Sequence, residues 1–177
     1  GRDAEVESYR NLLRNFAKPG ALLAVVSDSW NIYNAVEHLW GEQLRQEVID
    51  SGARIVIRPD SGDPVGVLTG TKDQPGVLDL LYEKFPGGTN EKGFKLLDPH
   101  VRIIQGDGID AVSIRGILLS LQMAGYSADN VAFGQGGALL QQINRDTLKF
   151  AMKCSAAFIN GDWVDVYKDP VTDTGKR

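Results

Sequence analysis

The chain is built around one segment, which reads Arg54-Ile55-Val56-Ile57-Arg58-Pro59-Asp60-Ser61-Gly62-Asp63-Pro64. Its β-branched first part is typical of a buried strand, and the proline- and glycine-punctuated second part indicates a polar turn. In parallel α/β folds, ligands bind just beyond the carboxyl ends of the strands. We therefore predict that Arg58 grips a phosphate and Asp60 a sugar hydroxyl. The alternative is an Arg–Asp ion pair that only stabilises a tight turn.

Composition excludes several classes of function. The chain has 177 residues, enough for one domain, and 19 Lys+Arg against 23 Asp+Glu give no basic surface for nucleic acid. A single cysteine, Cys154, excludes an internal disulfide or a multi-cysteine zinc site, and its apolar surroundings predict that it is buried and inert. No apolar run approaches membrane-spanning length. We expect a cytoplasmic protein that binds neither nucleic acid nor membrane.

A pattern of strand, polar turn and helix recurs along the chain. Buried strands are predicted at 21–26, 54–57, 101–105 and 131–133. This alternation is typical of a parallel α/β fold. Since such units also build the eight-unit barrel, we expect either an open sheet or about half of an irregular (β/α)8 (TIM-type) barrel. Residues 1–177 would form this single partial domain, with a short hairpin at Asn160-Gly161 near the C-terminus.

Helical spacing of apolar residues predicts the connecting helices, which we expect at 3–16, 31–49, 65–85, 111–124 and 138–143. Asp28 or Ser29 is expected to cap the second helix, with a ligand-facing role as the alternative. Asp110 is the expected cap of the helix that begins at Ala111. The polar tail from Lys168 to Arg177 is expected to be mobile.

The turn after the fourth strand predicts a phosphate site. Gly134, Gly136 and Gly137 stand just before a predicted helix, where exposed backbone N–H groups and the helix dipole favour an anion. A purely conformational role for these glycines is the alternative. Arg145, a little over two helical turns further on, would add charge to the same phosphate, or else pair with Asp146 at the surface.

The turn after the third strand, Gly106-Asp107-Gly108, superficially matches a dinucleotide fingerprint. Asp107 argues against that interpretation, because its carboxylate would face the pyrophosphate. We interpret Asp107 instead as an acceptor for ribose hydroxyls, or as a Mg²⁺ contact through water.

These motifs together resemble the type II phosphoribosyltransferases of the nicotinate/nicotinamide branch. The similarity covers almost the whole chain and rests on Val25-Val26-Ser27-Asp28-Ser29, Ile57-Arg58-Pro59-Asp60-Ser61-Gly62, Ile104-Gln105-Gly106-Asp107-Gly108, Ala132-Phe133-Gly134 with Gly136-Gly137, and Arg145-Asp146. It implies transfer of a phosphoribosyl group from phosphoribosyl pyrophosphate to nicotinamide, giving nicotinamide mononucleotide and pyrophosphate in NAD biosynthesis. Mg²⁺, ATP as an activator and a homodimer are implied with it.

The resemblance also implies roles for individual residues. Arg58 would contact pyrophosphate and nucleotide, Asp60 would lie by the reacting sugar, and Gly106 with Asp107 would hold the ribose. Gly137 and Arg145 would bind the 5′-phosphate. Gln135 departs from the family pattern, which has a small residue there. The family's first half, which carries the base-binding residues, is absent, so we expect the isolated chain to be inactive.

Two other interpretations stay open at the level of sequence. A barrel-type sugar-phosphate isomerase or aldolase would use the same phosphate loop, but none of the predicted strand-end turns carries the usual Lys or Glu base. A non-catalytic structural fragment is the third.

Overall fold

A computed structural model of the chain describes residues 1–136 and 149–172. The helix predicted at 138–143, Gly137 and Arg145 lie outside the described residues.

Four parallel strands form the central sheet. The described residues contain eight strands in all. In chain order the strands are β1 (Leu22–Val26), β2 (Arg54–Arg58), β3 (Gly88–Thr89), β4 (Lys95–Leu96), β5 (Val101–Gln105), β6 (Val131–Phe133), β7 (Ala156–Ile159) and β8 (Asp162–Asp165). The four strands outside the central sheet form two separate pairs, β3–β4 and β7–β8. The sheet has the order β1-β2-β5-β6, and every neighbouring pair is parallel. The predicted parallel α/β architecture is therefore confirmed. Among the described residues the sheet is open and closes no barrel.

Helices connect the strands of this sheet. They are α1 (Glu5–Phe16), α2 (Ile32–Asn34), a π-helical segment (Ala35–Gln43), α3 (Arg45–Ser51), α4 (Pro64–Thr69), α5 (Val77–Lys84) and α6 (Ala111–Met123), with 3-10 turns at Arg2–Ala4 and Ala128–Asn130. The single helix predicted at 65–85 is wrong, because this range contains two helices, α4 and α5. The loop between them contains Gly70, Pro75 and Gly76, which do not favour a helix.

One face of the sheet carries the hydrophobic core. Val25, Ile57, Ile103 and Val131 lie side by side in register, and all of them are buried together with apolar residues of the helices. On the opposite face of β1, Leu22 is 63% exposed and Val26 41% exposed. The prediction that β1 is fully buried is therefore wrong, because β1 is an edge strand with one face covered.

The helix after β1 begins differently from the prediction. Asn31, not Asp28 or Ser29, is its N-cap, since the Asn31 side chain accepts hydrogen bonds from Tyr33 N at 3.0 Å and Asn34 N at 3.2 Å. Asp28 is fully buried and has partners elsewhere. The predicted continuous helix at 31–49 is also divided, because a π-helical segment separates α2 from α3.

Other local predictions have mixed outcomes. The hairpin at Asn160-Gly161 is confirmed by the antiparallel pair β7–β8, and Asp110 caps α6 through Val112 N and Ser113 N. Cys154 is exposed, which contradicts the prediction of a buried thiol. In the part of the chain that the structure describes, no helix has the length and apolarity to cross a bilayer.

Candidate functional site

The ends of β1, β2, β5 and β6, with the loops that follow them, form what we call the carboxyl edge of the sheet. Arg58 is the last residue of β2, and its Nη2 donates to Asp60 Oδ1 at 2.9 Å. The side chains are 40% and 31% exposed, so a ligand can reach both. The ion pair of the structural alternative thus exists. A partly exposed ion pair of this kind contributes only about 0–1 kcal/mol to the free energy of unfolding. Its presence is therefore compatible with a binding role for both residues.

The Arg58 guanidinium lies beside Gly106, which in turn lies against Gly134. A Cβ added to Gly106 would stand 3.6 Å from Arg58 Nη2 and 3.7 Å from Cζ. A Cβ on Gly134 would stand 3.4 Å from Gly106 Cα, and Gly134 N donates to Gln105 O at 2.9 Å. The ends of β2, β5 and β6 therefore meet within van der Waals distance. A side chain at Gly106 would occupy the space beside the guanidinium.

Two more of the predicted residues, Asp107 and Gly136, lie in loops of the same edge. Asp107 is exposed, and the Gln105 amide reaches its carbonyl oxygen at 3.5 Å. Gly136 is exposed with open space around its Cα. The structure thus brings Arg58, Asp60 and Gly106 together, with Gly134 beside them.

Asp28 is a residue of the carboxyl edge to which the sequence analysis gave no decided role. It follows β1 and is 0% exposed, and its Oδ2 accepts hydrogen bonds from Asp60 N at 3.0 Å and from the Ser61 hydroxyl. A signal was available: Asp28 follows its strand by two residues, just as Asp60 follows β2 by two. Because Asp28 was interpreted as a helix cap, its equivalent position to Asp60 was not used.

Unsatisfied polar atoms converge on the same edge. Among the described residues, the buried side-chain atoms without a hydrogen-bond partner are Asp28 Oδ1, Arg58 Nε and Gln105 Oε1. They belong to the ends of three adjacent strands, β1, β2 and β5. Buried polar groups in folded proteins are nearly always paired, so this concentration indicates a place where a ligand or ordered water completes the structure.

Residues 167–172, which we call the C-terminal strap, pack against the loop after β1. Asp169 N donates to Ser29 O at 2.8 Å, and Val171 N donates to Trp30 O at 2.9 Å. The Trp30 and Tyr167 rings meet edge to face with centroids 5.4 Å apart. The prediction that the tail is mobile from Lys168 is therefore wrong for the strap.

Helix α1 supports the carboxyl edge from behind. Burial raises the pKa of Glu5, and the hydrogen bond from Tyr9 Oη, 2.9 Å long, opposes that rise. The Tyr9 ring stacks on Trp40 at 4.6 Å between centroids, and Trp40 Nε1 donates to Ser27 Oγ at 3.1 Å. Burial and the nearby Glu5 carboxylate also raise the pKa of Tyr9.

The donor set at the carboxyl edge fits Mg²⁺ held jointly with a ligand. The described residues contain no group of three or more His, Cys, Asp and Glu side chains that could hold a metal ion alone. Mg²⁺ usually binds through one or two carboxylates together with substrate phosphates and water. Asp60, which is partly exposed beside Arg58, meets that requirement.

Comparison with known proteins shows the family of the chain. Residues 1–177 match the nicotinate phosphoribosyltransferase (NAPRTase) family over their whole length. A protein of Xanthomonas campestris pv. campestris named nicotinamide phosphoribosyltransferase is 58% identical over 177 residues, which are 100% of this chain and 36% of the relative.

Two further relatives carry the same name. The protein of Acinetobacter baylyi is 33% identical over 186 residues, covering 98% of this chain and 36% of the relative. The protein of Mycoplasma pneumoniae is 33% identical over 184 residues, covering 100% of this chain and 40% of the relative. The chain therefore spans between a third and a half of the length of these relatives. With its entire sequence matched, the chain belongs to the nicotinate phosphoribosyltransferase family.

Proposed function

We propose that this chain carries the phosphoribosyl-binding part of a nicotinamide phosphoribosyltransferase. The reaction joins phosphoribosyl pyrophosphate to nicotinamide and yields nicotinamide mononucleotide and pyrophosphate for NAD biosynthesis. One observation carries the proposal: the guanidinium of Arg58 lies over Gly106 beside the Asp60 carboxylate, at the carboxyl edge of a parallel sheet. Family membership and the names of the relatives support the same reaction.

The chemistry follows from the charges at this edge. Displacement at the anomeric carbon builds negative charge on the departing pyrophosphate, which a fixed cation stabilises. Arg58 has five N–H donors and uses one of them on Asp60, so other donors remain for pyrophosphate oxygens. Asp60 and Asp107 would accept hydrogen bonds from ribose hydroxyls and hold the sugar in place for attack.

The phosphate loop completes the proposed site. Gly136 has open space where a side chain would stand. We assign the 5′-phosphate to the loop of Gly134, Gly136 and Gly137, together with Arg145. Mg²⁺, when bound by Asp60 and the substrate phosphates, would neutralise pyrophosphate charge. We assign ATP the role of activator on the basis of the resemblance alone.

Larger-scale features belong to the same proposal. We propose that residues 1–177 form one partial domain of an irregular (β/α)8 barrel in a cytoplasmic homodimer. The exposed apolar residues of β1, Leu22 and Val26, support a covered sheet face in a larger protein. The relatives are long enough to supply that cover.

Binding separates this function from the alternatives. We expect isothermal titration calorimetry with Mg²⁺ to show that the chain binds phosphoribosyl pyrophosphate at least ten times more tightly than ribose 5-phosphate. Arg58→Ala should weaken phosphoribosyl pyrophosphate binding at least tenfold, because the pyrophosphate loses its cation. The control Arg14→Ala removes an exposed arginine that pairs with Glu7 on α1. Equal affinity for both ligands would favour a sugar-phosphate isomerase or aldolase, and no binding would favour a structural fragment.

A further inference from the structure

Asp28 holds the loop after β2 in an unusual way. Its carboxylate is 0% exposed, and a single oxygen, Oδ2, accepts both the Asp60 N–H and the Ser61 hydroxyl. We propose that Asp28 is a positioning residue of the phosphoribosyl site, acting through Asp60 and Ser61. The inference rests on the proposed function for its consequence in binding, but its structural part is measurable without ligand.

The C-terminal strap takes part in the same arrangement. Ser61 Oγ and Thr172 Oγ1 are 2.5 Å apart. Because the single Ser61 hydroxyl proton is donated to Asp28, the Ser61 oxygen accepts and the Thr172 hydroxyl donates. A directed chain of hydrogen bonds therefore runs from Thr172 through Ser61 to Asp28. It joins the strap, the β2 loop and the end of β1.

Asp28 and Arg58 both hold Asp60 in place. Asp60 is held at its backbone N–H by Asp28 and at its carboxylate by Arg58 Nη2 at 2.9 Å. Loss of the backbone bond would let the loop shift and carry the carboxylate and its arginine partner with it. Displacements of about 1 Å in positioning groups can reduce catalysis roughly a hundredfold.

An alternative role for Asp28 is purely electrostatic, as a negative charge or as a metal ligand. Substitution by asparagine separates the two roles. Both hydrogen bonds end on Oδ2, whereas Oδ1 has no partner. In Asp28→Asn, the amide side chain would keep one acceptor oxygen for both donors and place its NH2 group at the unpartnered position. The positioning role therefore survives Asp28→Asn, and the electrostatic role does not.

The experiment compares Asp28→Ala, Asp28→Asn and Ser61→Ala by hydrogen exchange and by calorimetry with phosphoribosyl pyrophosphate and Mg²⁺. We expect Asp28→Ala to increase amide exchange at Asp60, Ser61 and Gly62 at least tenfold and to weaken binding at least tenfold. Asp28→Asn should stay within threefold of the unsubstituted protein in both measurements. Ser61→Ala should give an intermediate result, and it serves in place of Asp28→Ala if that variant does not fold.

Asp79→Ala is the matched control. Asp79 also accepts one hydroxyl and one backbone N–H, from Tyr126 Oη at 2.8 Å and Gly76 N at 3.4 Å, but it lies at the start of α5. Its loss should leave exchange at Asp60–Gly62 and binding unchanged. Thr172 provides a second pair: Thr172→Val removes the donor and should raise exchange at Ser61, whereas Thr172→Ser keeps the donor and should not.

Different outcomes overturn different statements. If Asp28→Asn loses as much affinity as Asp28→Ala, Asp28 acts through its charge and the positioning role is refuted. Unchanged exchange in both Asp28→Ala and Ser61→Ala also refutes it. If the unsubstituted protein binds no phosphoribosyl pyrophosphate while exchange rises as expected, the proposed function fails and the loop-positioning role of Asp28 stands.

Discussion

At the residue scale, the planar guanidinium of Arg58 has several N–H donors that can serve two partners at once. It pairs with Asp60 at 2.9 Å and lies over Gly106, where a lysine ammonium would be a point charge with no extended plane. A lysine at this position can satisfy Asp60 or a pyrophosphate oxygen, but it lacks the fork of donors that serves both.

Arg58→Lys should therefore weaken pyrophosphate binding about tenfold while the melting temperature changes little, because a partly exposed ion pair contributes about 0–1 kcal/mol to stability. Calorimetric titration and thermal unfolding measure the two effects separately. Arg14→Lys, at the exposed pair with Glu7, is the control and should change neither. Full retention of pyrophosphate affinity by Arg58→Lys would show that positive charge alone is sufficient.

Glu5 makes stability depend on pH. Burial raises its pKa above the ordinary value of 4.5, so the folded state binds this proton more tightly than the unfolded state. The free energy of unfolding should consequently fall as pH rises from the ordinary pKa through the raised one. Glu5→Gln keeps an acceptor for Tyr9 Oη and removes the buried charge, so the variant should gain stability relative to the parent as the pH rises above 4.5.

Urea unfolding across that pH range tests the prediction for Glu5. A constant difference between Glu5→Gln and the parent would contradict a raised pKa of Glu5.

At the scale of elements, strands were easier to predict than helix starts. The run Ile55-Val56-Ile57 predicts a buried strand from its own residues alone, because β-branched side chains favour strands. The cap after β1 was mispredicted because Asp28 and Asn31 are both good capping residues. Only the position of the β2 loop, which lies far away in sequence, removes Asp28 from that role.

Asn31→Ala should lower the free energy of unfolding by about 1 kcal/mol, because two backbone N–H groups at the start of α2 lose their acceptor. Asn31→Asp retains an acceptor and should be close to the parent. Chemical denaturation with an unchanged m-value is the measurement. Equal stability of Asn31→Ala and Asn31→Asp would mean that this cap contributes nothing to folding.

At the scale of the whole molecule, the sequence predicted that Arg58 and Gly106 lie at one edge of the sheet, but not which contacts hold that edge together. Parallel strands bring their carboxyl ends to one edge, so Arg58 and Gly106 were expected to be neighbours on topology alone. The strap was not predictable in the same way. Its bonds to Ser29 and Trp30 use backbone groups, which every residue carries, and these leave no pattern in the side chains.

The two faces of β1 provide a test of how much of the sheet is covered. Val25 is buried and the adjacent Val26 is 41% exposed. In this chain, Val25→Thr should cost about 1–3 kcal/mol, since it buries a hydroxyl. Val26→Thr should stay within about 0.5 kcal/mol, as surface substitutions usually do.

Thermal or urea unfolding of both threonine variants measures the difference. In a longer protein that covers this face, Val26→Thr should become costly as well. Equal costs at both positions in the 177-residue chain would mean that β1 is already covered on both sides.

The strap also bears on the order of folding events. The Ser61–Thr172 contact joins residues 111 positions apart in the chain, so it closes a long loop and forms at a high entropic cost. Contacts of this kind form late and slow the folding of a domain. A nascent chain would therefore acquire its sheet during synthesis, whereas the loop beside Arg58 would reach its final geometry only after the C-terminal strap has left the ribosome.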